Sequence, residues 1–312
     1  RNRPFQKNLY RNNSFFRFFK QTCSVDKGIK MTAQLINGKQ TAADIEEKLK
    51  QTIADFPSAP QLAIILVGND EPSLIYVRNK QKAAAKIGLL SQLYHLDENI
   101  SETELLKIIQ QLNEDNTVNG IIVQLPLPKH LNTNRIINTI SPLKDVDGFH
   151  PYNTGLLQNN EKPYFIAATP LGIMKLIKTI VPELTSKNVV LIGASLIVGR
   201  PLATLLLNQN CTVTITHAQT QNIKELTSKA DILVAACGVA KLVKADWIKE
   251  NSILIDVGIN RDNGKLCGDI DFDDVKNKAL AITPVPGGVG PMTIAMLLSN
   301  TVDAYLLQHS HL

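Results

Sequence analysis

Apolar residues along the chain follow two spacings. Unbroken runs of strand length recur, and between them lie stretches whose apolar positions return every three or four residues. After Met31, "TAADIEEKLKQTIADF" reads as an amphipathic helix and "QLAIILVG" (61–68) as a buried strand. "PSLIYVRNKQKAAAKIGL" (72–89) is helical and "SQLYHL" is a short strand. Ser101 and Glu104 form a capping-box pattern that opens the helix "ETELLKIIQQLNED". "NGIIVQLPLP" is a third strand, stopped by Pro126 and Pro128. The second half repeats the alternation. "NVVLIG" (188–193), "CTVTITH", "DILVAAC", "SILIDVG" and "ALAITPVPGG" carry strands, "GRPLATLLLNQ" and "NIKELTSKA" are helices, and "MTIAMLLSNTVDAYLLQ" closes the chain as a long helix. Strands alternating with helices predict parallel pairing and an α/β fold. Between the halves lies "SPLKDVDGFHPYNTGLLQNNEKPYFIAATPLG", a loop-rich stretch with little periodicity. The domain boundary is placed there or in the next helix, "GIMKLIKTIV".

Composition narrows the class. The chain has 312 residues, 44% hydrophobic and 20% charged, which suits a globular protein of two ordinary domains. No apolar run approaches the roughly 18–20 residues that cross a bilayer. The formal charge of +5 is concentrated at one end. Residues 1–30 hold eight of the 33 basic and one of the 28 acidic residues, leaving 25 and 27 in the rest. The body is therefore near neutral, which argues against nucleic-acid binding. Residues 1–30 read as an extension, either a mitochondrial transit peptide or sequence upstream of a start at Met31. The four cysteines show no metal-ligand spacing and read as free thiols in a reducing compartment, so a cytoplasmic location is expected, or a mitochondrial one if the extension is a transit peptide.

Two runs suggest chemistry. In "GASLIVGRP", between a strand and a helix, Gly193-x-Ser195-x-x-x-Gly199 is one residue longer than a dinucleotide fingerprint and has Ser at its middle position. It reads either as a pyrophosphate turn or as a glycine turn that serves packing. The following strand ends "TITHAQT" without the carboxylate that binds a ribose 2′-hydroxyl, which favours NADP over NAD. In the basic helix, Arg78, Lys82 and Lys86 fall in one row at i, i+4 steps. Lys80 lies opposite, with Tyr76, Ala83, Ala84 and Ile87, flanked by Ser73 and Val77. An inward lysine loses hydration, which favours the neutral form that can act as a base. The alternative is a lysine whose stem lies on apolar surface while its head reaches water.

Further candidates are Gln124 at a strand end and Asp145 and Asp147 in "KDVDGFHP". Each is open to a plainer reading, as a strand cap or as turn chemistry. "TPVPGGVGPMT" (283–293) packs three prolines and three glycines into eight residues, giving a rigid loop with open backbone that a flat ligand can approach.

The runs "YVRNKQKAAAKIG", "GIIVQLPLP", "KDVDGFHPYNTG", "GASLIVGRP", "VTITHAQT", "ILIDVGIN", "GDIDF" and "ITPVPGGVGPMT" occur in this order over 31–312. Together they resemble the bifunctional methylenetetrahydrofolate dehydrogenase/methenyltetrahydrofolate cyclohydrolase family, in its bacterial form. The resemblance implies two α/β domains around a cleft, the second Rossmann-like, often in a homodimer through the cofactor domain. It implies a folate domain of residues 31–165 plus 292–312 and an NADP domain of 166–291. It implies Lys80 as catalytic lysine, Gln124 as its orienting partner, Tyr76 positioning the folate and Asp147 holding the pterin. Val123 and Leu125 would line the same wall, with Pro286, Gly287, Gly288, Val289 and Gly290 as the substrate-side loop. Gly193, Ala194, Ser195 and Ile259 would contact the cofactor. No metal, nucleic acid or membrane is implied. The family commonly has "PCTP" where this chain has "AATP" (167–170), from which altered cleft packing with retained activity is expected.

The activity implied is oxidation of 5,10-methylenetetrahydrofolate with NADP+, then hydrolysis of the methenyl product to 10-formyltetrahydrofolate, in one-carbon folate metabolism and the purine biosynthesis it feeds. Three rivals stand beside it. They are a monofunctional dehydrogenase of the same family, a small-hydroxyacid or shikimate-type dehydrogenase, and a non-catalytic nucleotide-binding protein.

Overall fold

The computed structural model describes residues 32–309, so the extension expected at 1–30 lies outside the described residues. In chain order the elements begin with β1 (Gln34–Leu35), α1 (Gly38–Ala54), β2 (Gln61–Val67), α2 (Glu71–Ile87), β3 (Leu90–Leu96), α3 (Glu102–Glu114) and β4 (Gly120–Val123). α4 (Thr133–Thr139), α5 (Pro151–Gln158) and α6 (Ala168–Ile180) fill the middle. The second half contains β5 (Asn188–Ile192), α7 (Gly199–Leu207), β6 (Thr212–Thr216), α8 (Ile223–Thr227), β7 (Ile232–Ala235), β8 (Ile253–Asp256), β9 (Asn260–Asp262), β10 (Lys265–Cys267), α9 (Phe272–Val275), β11 (Ala281–Ile282) and α10 (Val289–His309). Ser101 caps α3 with the reciprocal Glu104 bond that the sequence predicts.

The strands form two parallel sheets and one antiparallel hairpin. The first sheet has the order β3-β2-β4. β2 is apolar and buried from Leu62 onward because it is central and covered on both faces, whereas the edge strand β3 alternates in burial. The second sheet has the order β1-β11-β8-β7-β5-β6. From β5 the chain steps to β6 on one side and then to β7 on the other. In the first sheet it steps from β2 to β3 and then to β4 on the opposite side. Each sheet thus has a switch point at the carboxyl ends of its central strands, where α/β proteins open a crevice. Residues 34–35, inside the stretch 31–165 expected to form the folate domain, pair with β11 of the second sheet.

One core runs through both sheets. Leu62, Ile64 and Ile122 of the first and Val189, Leu191 and Val234 of the second belong to a single buried cluster with Ile173, Leu176 and Ile177 of α6 and Met292, Ala295 and Met296 of α10. The outer face of each sheet has a separate cluster. Both sheets belong to one compact unit, Thr32–Leu312. Asn300, buried on α10, donates from Nδ2 to the carbonyls of Val146 (2.8 Å) and Ile166 (2.9 Å), tying the middle stretch to the last helix. No helix among the described residues is long and apolar enough to cross a membrane.

Where sequence and structure differ, the causes are local. The middle stretch holds two helical turns beginning at Pro151, and α6 starts four residues earlier than its apolar period, at Ala168. The last helix also starts inside the glycine–proline run, at Val289, so that only 283–288 form a loop. In each case a proline in the opening turn, beside Gly, Thr or Asn, interrupts the apolar period that marks the rest of the helix. The β9–β10 hairpin has no buried strand pattern to read.

Replacing Asn300 with Ala leaves two buried carbonyls without partners, so a loss of about 2–4 kcal/mol is expected in urea unfolding. Gly155→Ala, on an exposed helical position where a Cβ meets nothing within 4 Å, should instead gain about 0.5–1 kcal/mol.

Candidate active site

α2 is oriented by its ends. Asp70 Oδ2 accepts from the Ser73 backbone N–H (3.0 Å) and hydroxyl (2.6 Å), and Gly88 closes the helix in the left-handed conformation. Between them Ser73, Val77, Lys80, Ala84 and Ile87 are buried, at i+3 and i+4 steps. Arg78, Lys82 and Lys86 face water, and Lys86 pairs with Glu46 of α1 at 2.7 Å. The helical wheel therefore separates the lysines as the structure does.

Lys80 Nζ donates to Gln124 Oε1 at 3.0 Å. Gln124 stands at the carboxyl end of β4, where its backbone N–H still donates to the Ile65 carbonyl of the neighbouring strand (2.8 Å). Its Nε2 donates to its own neighbour's carbonyl, Leu125 O, at 2.8 Å. That second bond commits the amide nitrogen and leaves the oxygen for the lysine. The two aspartates of "KDVDGFHP" divide. Asp145 is fully engaged, accepting from the backbone N–H of Phe149 (3.1 Å) and His150 (2.9 Å) and from Asn153 Nδ2 (2.9 Å). Burial pushes its carboxyl up to about 7 against those bonds. Asp147 accepts no hydrogen bond from the described residues and lines the cavity beside Lys80. Burial drives Lys80 down and Asp147 up, each toward its neutral form, and the charge of the other opposes the shift.

Tyr76, Lys80, Val123, Gln124, Leu125 and Asp147 line one cavity of about 270 Å³. Val289, Gly290 and Ile259 close it from the second sheet's side. A larger cavity of about 580 Å³ lies outside, sharing Tyr76, Ile259, Val289 and Gly290 and continuing along Pro286, Gly287 and Gly288. The expected substrate residues are thus brought together in two adjoining spaces. A Cβ on Gly290 would meet nothing within 4 Å, so the loop presents open backbone there.

Gly193, Ala194 and Ser195 lie apart from these walls, on the loop between β5 and α7 at the second sheet's switch point. A Cβ on Gly193 would sit 2.1 Å from the Ala236 carbonyl, and one on Gly199 would sit 2.0 Å from the Gly193 carbonyl. Ser195 Oγ accepts from the backbone N–H of Val198 (3.1 Å) and Gly199 (3.3 Å). The glycine spacing therefore serves backbone packing, and the loop it creates carries Ile197 and Val198 into the inner cavity. The fit to a dinucleotide rests on this tight strand–loop–helix turn at a switch point and on a β6 end without a carboxylate.

Several residues escaped sequence reasoning. Phe149, Thr169 and Thr293 also line the inner cavity, and the Thr169 and Thr293 hydroxyls join α6 to α10 at 2.9 Å. In "AATP", Ala167 caps α6 without a side-chain bond. Asp256, at the end of β8, accepts from the backbone N–H of Gly258 (3.0 Å), Asp269 (2.9 Å) and Ile270 (2.9 Å). Asp269 in turn accepts from Cys237 N (2.7 Å), Gly238 N (3.0 Å) and Asn260 Nδ2 (2.8 Å). This pair of carboxylates fastens the cleft-side loops after β7 and β8. Its one sequence signal is a glycine beside each partner: a Cβ on Gly268 would fall 1.8 Å from Asp256 Oδ2, and one on Gly258 would fall 2.3 Å from Asp269 Oδ1.

Comparison with known proteins agrees with this arrangement. Two family models match: the tetrahydrofolate dehydrogenase/cyclohydrolase catalytic domain over residues 36–147, and the NAD(P)-binding domain of the same family over 167–309. A curated relative from Wolbachia sp. subsp. Drosophila simulans, "Bifunctional protein FolD", is 54% identical over 279 residues, covering 88% of this chain and 96% of that protein. The Aquifex aeolicus protein of the same name is 50% identical over 284 residues, covering 90% and 98%. Among solved structures, the bifunctional FolD dehydrogenase/cyclohydrolase of Campylobacter jejuni superposes with a TM-score of 0.86 at 47% identity, over 90% of this chain and all (100%) of that one. The Trypanosoma brucei enzyme, solved with NADP and an inhibitor, gives 0.84 at 36% identity over 88% and 97%. The matched families, the long high-identity alignments and the shared fold place this chain in the tetrahydrofolate dehydrogenase/cyclohydrolase family.

Proposed function

We propose that this protein oxidises 5,10-methylenetetrahydrofolate to 5,10-methenyltetrahydrofolate with NADP+ and hydrolyses the product to 10-formyltetrahydrofolate. The observation that carries the reading is the Lys80–Gln124 hydrogen bond inside a cavity that also holds Asp147 and Tyr76. NADP+ supplies the hydride acceptor, and the β5–α7 loop with Gly193, Ala194 and Ser195, together with Ile259, would hold it. The first sheet with its loops would hold folate, and the second sheet would hold the cofactor.

The residues' work follows from the product's chemistry. The methenyl compound is a cation stabilised by its own nitrogens, so oxidation asks the protein mainly for position. Tyr76 and the Pro286–Gly290 run provide flat walls, and Asp147 offers a hydrogen-bond acceptor to the pterin. Hydrolysis needs more. Water adds to the methenyl carbon and loses one proton. The bond from that carbon to one ring nitrogen then breaks as that nitrogen gains a proton, and the remaining hydroxyl proton leaves to solvent as the formyl C=O forms, so that one proton is released overall. Lys80 in its neutral form accepts the proton from water and, as an ammonium, returns it to nitrogen. Burial favours the neutral form, and a cationic substrate beside it does the same. Gln124 Oε1 receives a hydrogen from Nζ and so turns the lone pair toward the attacking water.

A homodimer through the cofactor-side sheet is part of the same proposal. β6 is an edge strand with Ile215 exposed, and an edge of this kind offers unpaired backbone groups to a second copy. Sedimentation should then return twice the chain mass.

Following methenyl formation and decay by absorbance tests both steps. Lys80→Met should abolish methenyl decay through the enzyme while the far-ultraviolet circular dichroism is kept; enzymatic ring opening at the normal rate in that variant would refute the assignment. NADP+ should support a higher kcat/KM than NAD+.

The pH dependence has a definite sign. The neutral lysine is the active form, so cyclohydrolase turnover should rise with pH and level off below the ordinary lysine pKa. Asp147 raises the Lys80 pKa, so Asp147→Asn should move the rising limb to lower pH. A shift to higher pH would contradict the assignment of Lys80 as the base.

A further inference from the structure

The outer cavity has a chemical order from inside to outside. Its inner neighbour offers polar groups, namely Lys80, Gln124 and Asp147. Tyr76 and Ile259, shared with the inner cavity, and Pro286 wall it with flat or apolar groups. Arg261, the one cationic residue among those that line it, does not reach the inner cavity. A reduced folate has the same three parts in the same sequence: a hydrogen-bonding pterin, an aromatic ring, and a glutamate bearing two carboxylates.

Arg261 lies on the β9–β10 hairpin, where it pairs across the strands with Leu266. Both line the outer cavity. The next cross-strand pair, Asp262 and Lys265, lines a different cavity, and Asp262 is bound to Lys241 at 2.8 Å. The Arg261 guanidinium has no hydrogen-bond or ion-pair partner among the described residues. Most lysines on that part of the surface behave otherwise: Lys241, Lys244 and Lys249 each hold an aspartate. The acid in the same cavity, Asp256, is buried and turned to backbone N–H groups through both oxygens, and no bond joins it to Arg261. The hairpin's base is held in place, with Asn260 bonded to Asp269 and Gly258 bonded to Asp256. A fixed strand therefore presents an exposed, unpaired planar cation to the outer cavity, the arrangement suited to forked binding of a carboxylate.

We propose that Arg261 binds a carboxylate of the substrate's glutamate and so selects glutamylated folates. The proposal rests on the folate reading above and assigns Arg261 to affinity, with no part in the chemistry.

Binding measured by calorimetry tests it without requiring turnover. The ligands are tetrahydrofolate and tetrahydropteroate, which lacks the glutamate. The intact protein should bind tetrahydrofolate more tightly, and salt should weaken that preference. Arg261→Gln should lower tetrahydrofolate affinity roughly tenfold and leave tetrahydropteroate unchanged, with Arg261→Lys recovering part of the loss. In steady-state assays the same variant should raise KM for methylenetetrahydrofolate while kcat and KM for NADP+ stay constant. Equal affinity of the intact protein for the two ligands would overturn the proposal, as would an equal loss for both in Arg261→Gln. Absence of turnover by the intact protein, with these binding differences present, would instead count against the catalytic reading alone.

Discussion

Gly172 of α6 crosses α10 so closely that a Cβ there would come within 2.8 Å of the Met292 Cβ. This close approach, and the buried side chains of Ile173, Ile177, Ala295 and Met296 around it, holds the two sheets in one core. Each sheet presents the carboxyl ends of its central strands to a crevice, so a common core fixes the two crevices relative to each other. The inner cavity lies where they meet, with Gln124 from the first sheet and Val257 and Ile259 from beyond β8 of the second. Because interiors pack at close to crystal density, a change in the α6–α10 spacing would be transmitted to both walls rather than absorbed.

The same rigidity lets weakly reactive groups become useful. A lysine in water is an ammonium and a poor base. Held on the buried face of α2 and bonded to a glutamine whose other amide atom is already committed, Lys80 has a fixed direction and a lowered pKa. Asp147 restrains that shift through its charge, so the cavity tunes the lysine by two opposed effects rather than by burial alone. The Asp256–Asp269 pair performs a comparable service farther out. By gathering five backbone N–H groups and the Asn260 amide, it holds the loops that carry Ile259 and the base of the hairpin.

Glycine and proline play unequal parts in this design. The Gly193 and Gly199 spacing resembles a ligand fingerprint, and the contacts at both positions are with backbone carbonyls. The glycines let the turn close, and the closed turn delivers Ile197 and Val198 to the cavity. Gly290 is the opposite case, open on its Cβ side and facing both cavities.

Much was legible from residue order alone. Strand-length apolar runs alternating with 3.6-period stretches specify parallel α/β layers, because a parallel strand must be reached by a crossover and is buried on both faces. The period also singled out Lys80 from Arg78, Lys82 and Lys86, since a helix puts residues at i+3 and i+4 on one face whatever it packs against. The rest depended on contacts distant in sequence. Asp145 and Asp147 are two residues apart and chemically alike; only the fold gives one to Asn153 and the backbone and the other to Lys80's cavity. The strand at 34–35 joins the second sheet through β11, a partner at 281–282 that no local pattern around residue 34 announces. Arg261 reads as one more surface charge until the hairpin is seen beside the cavity and its guanidinium is seen without a partner. Local periodicity decides which face a side chain occupies, and only tertiary packing decides what that face meets.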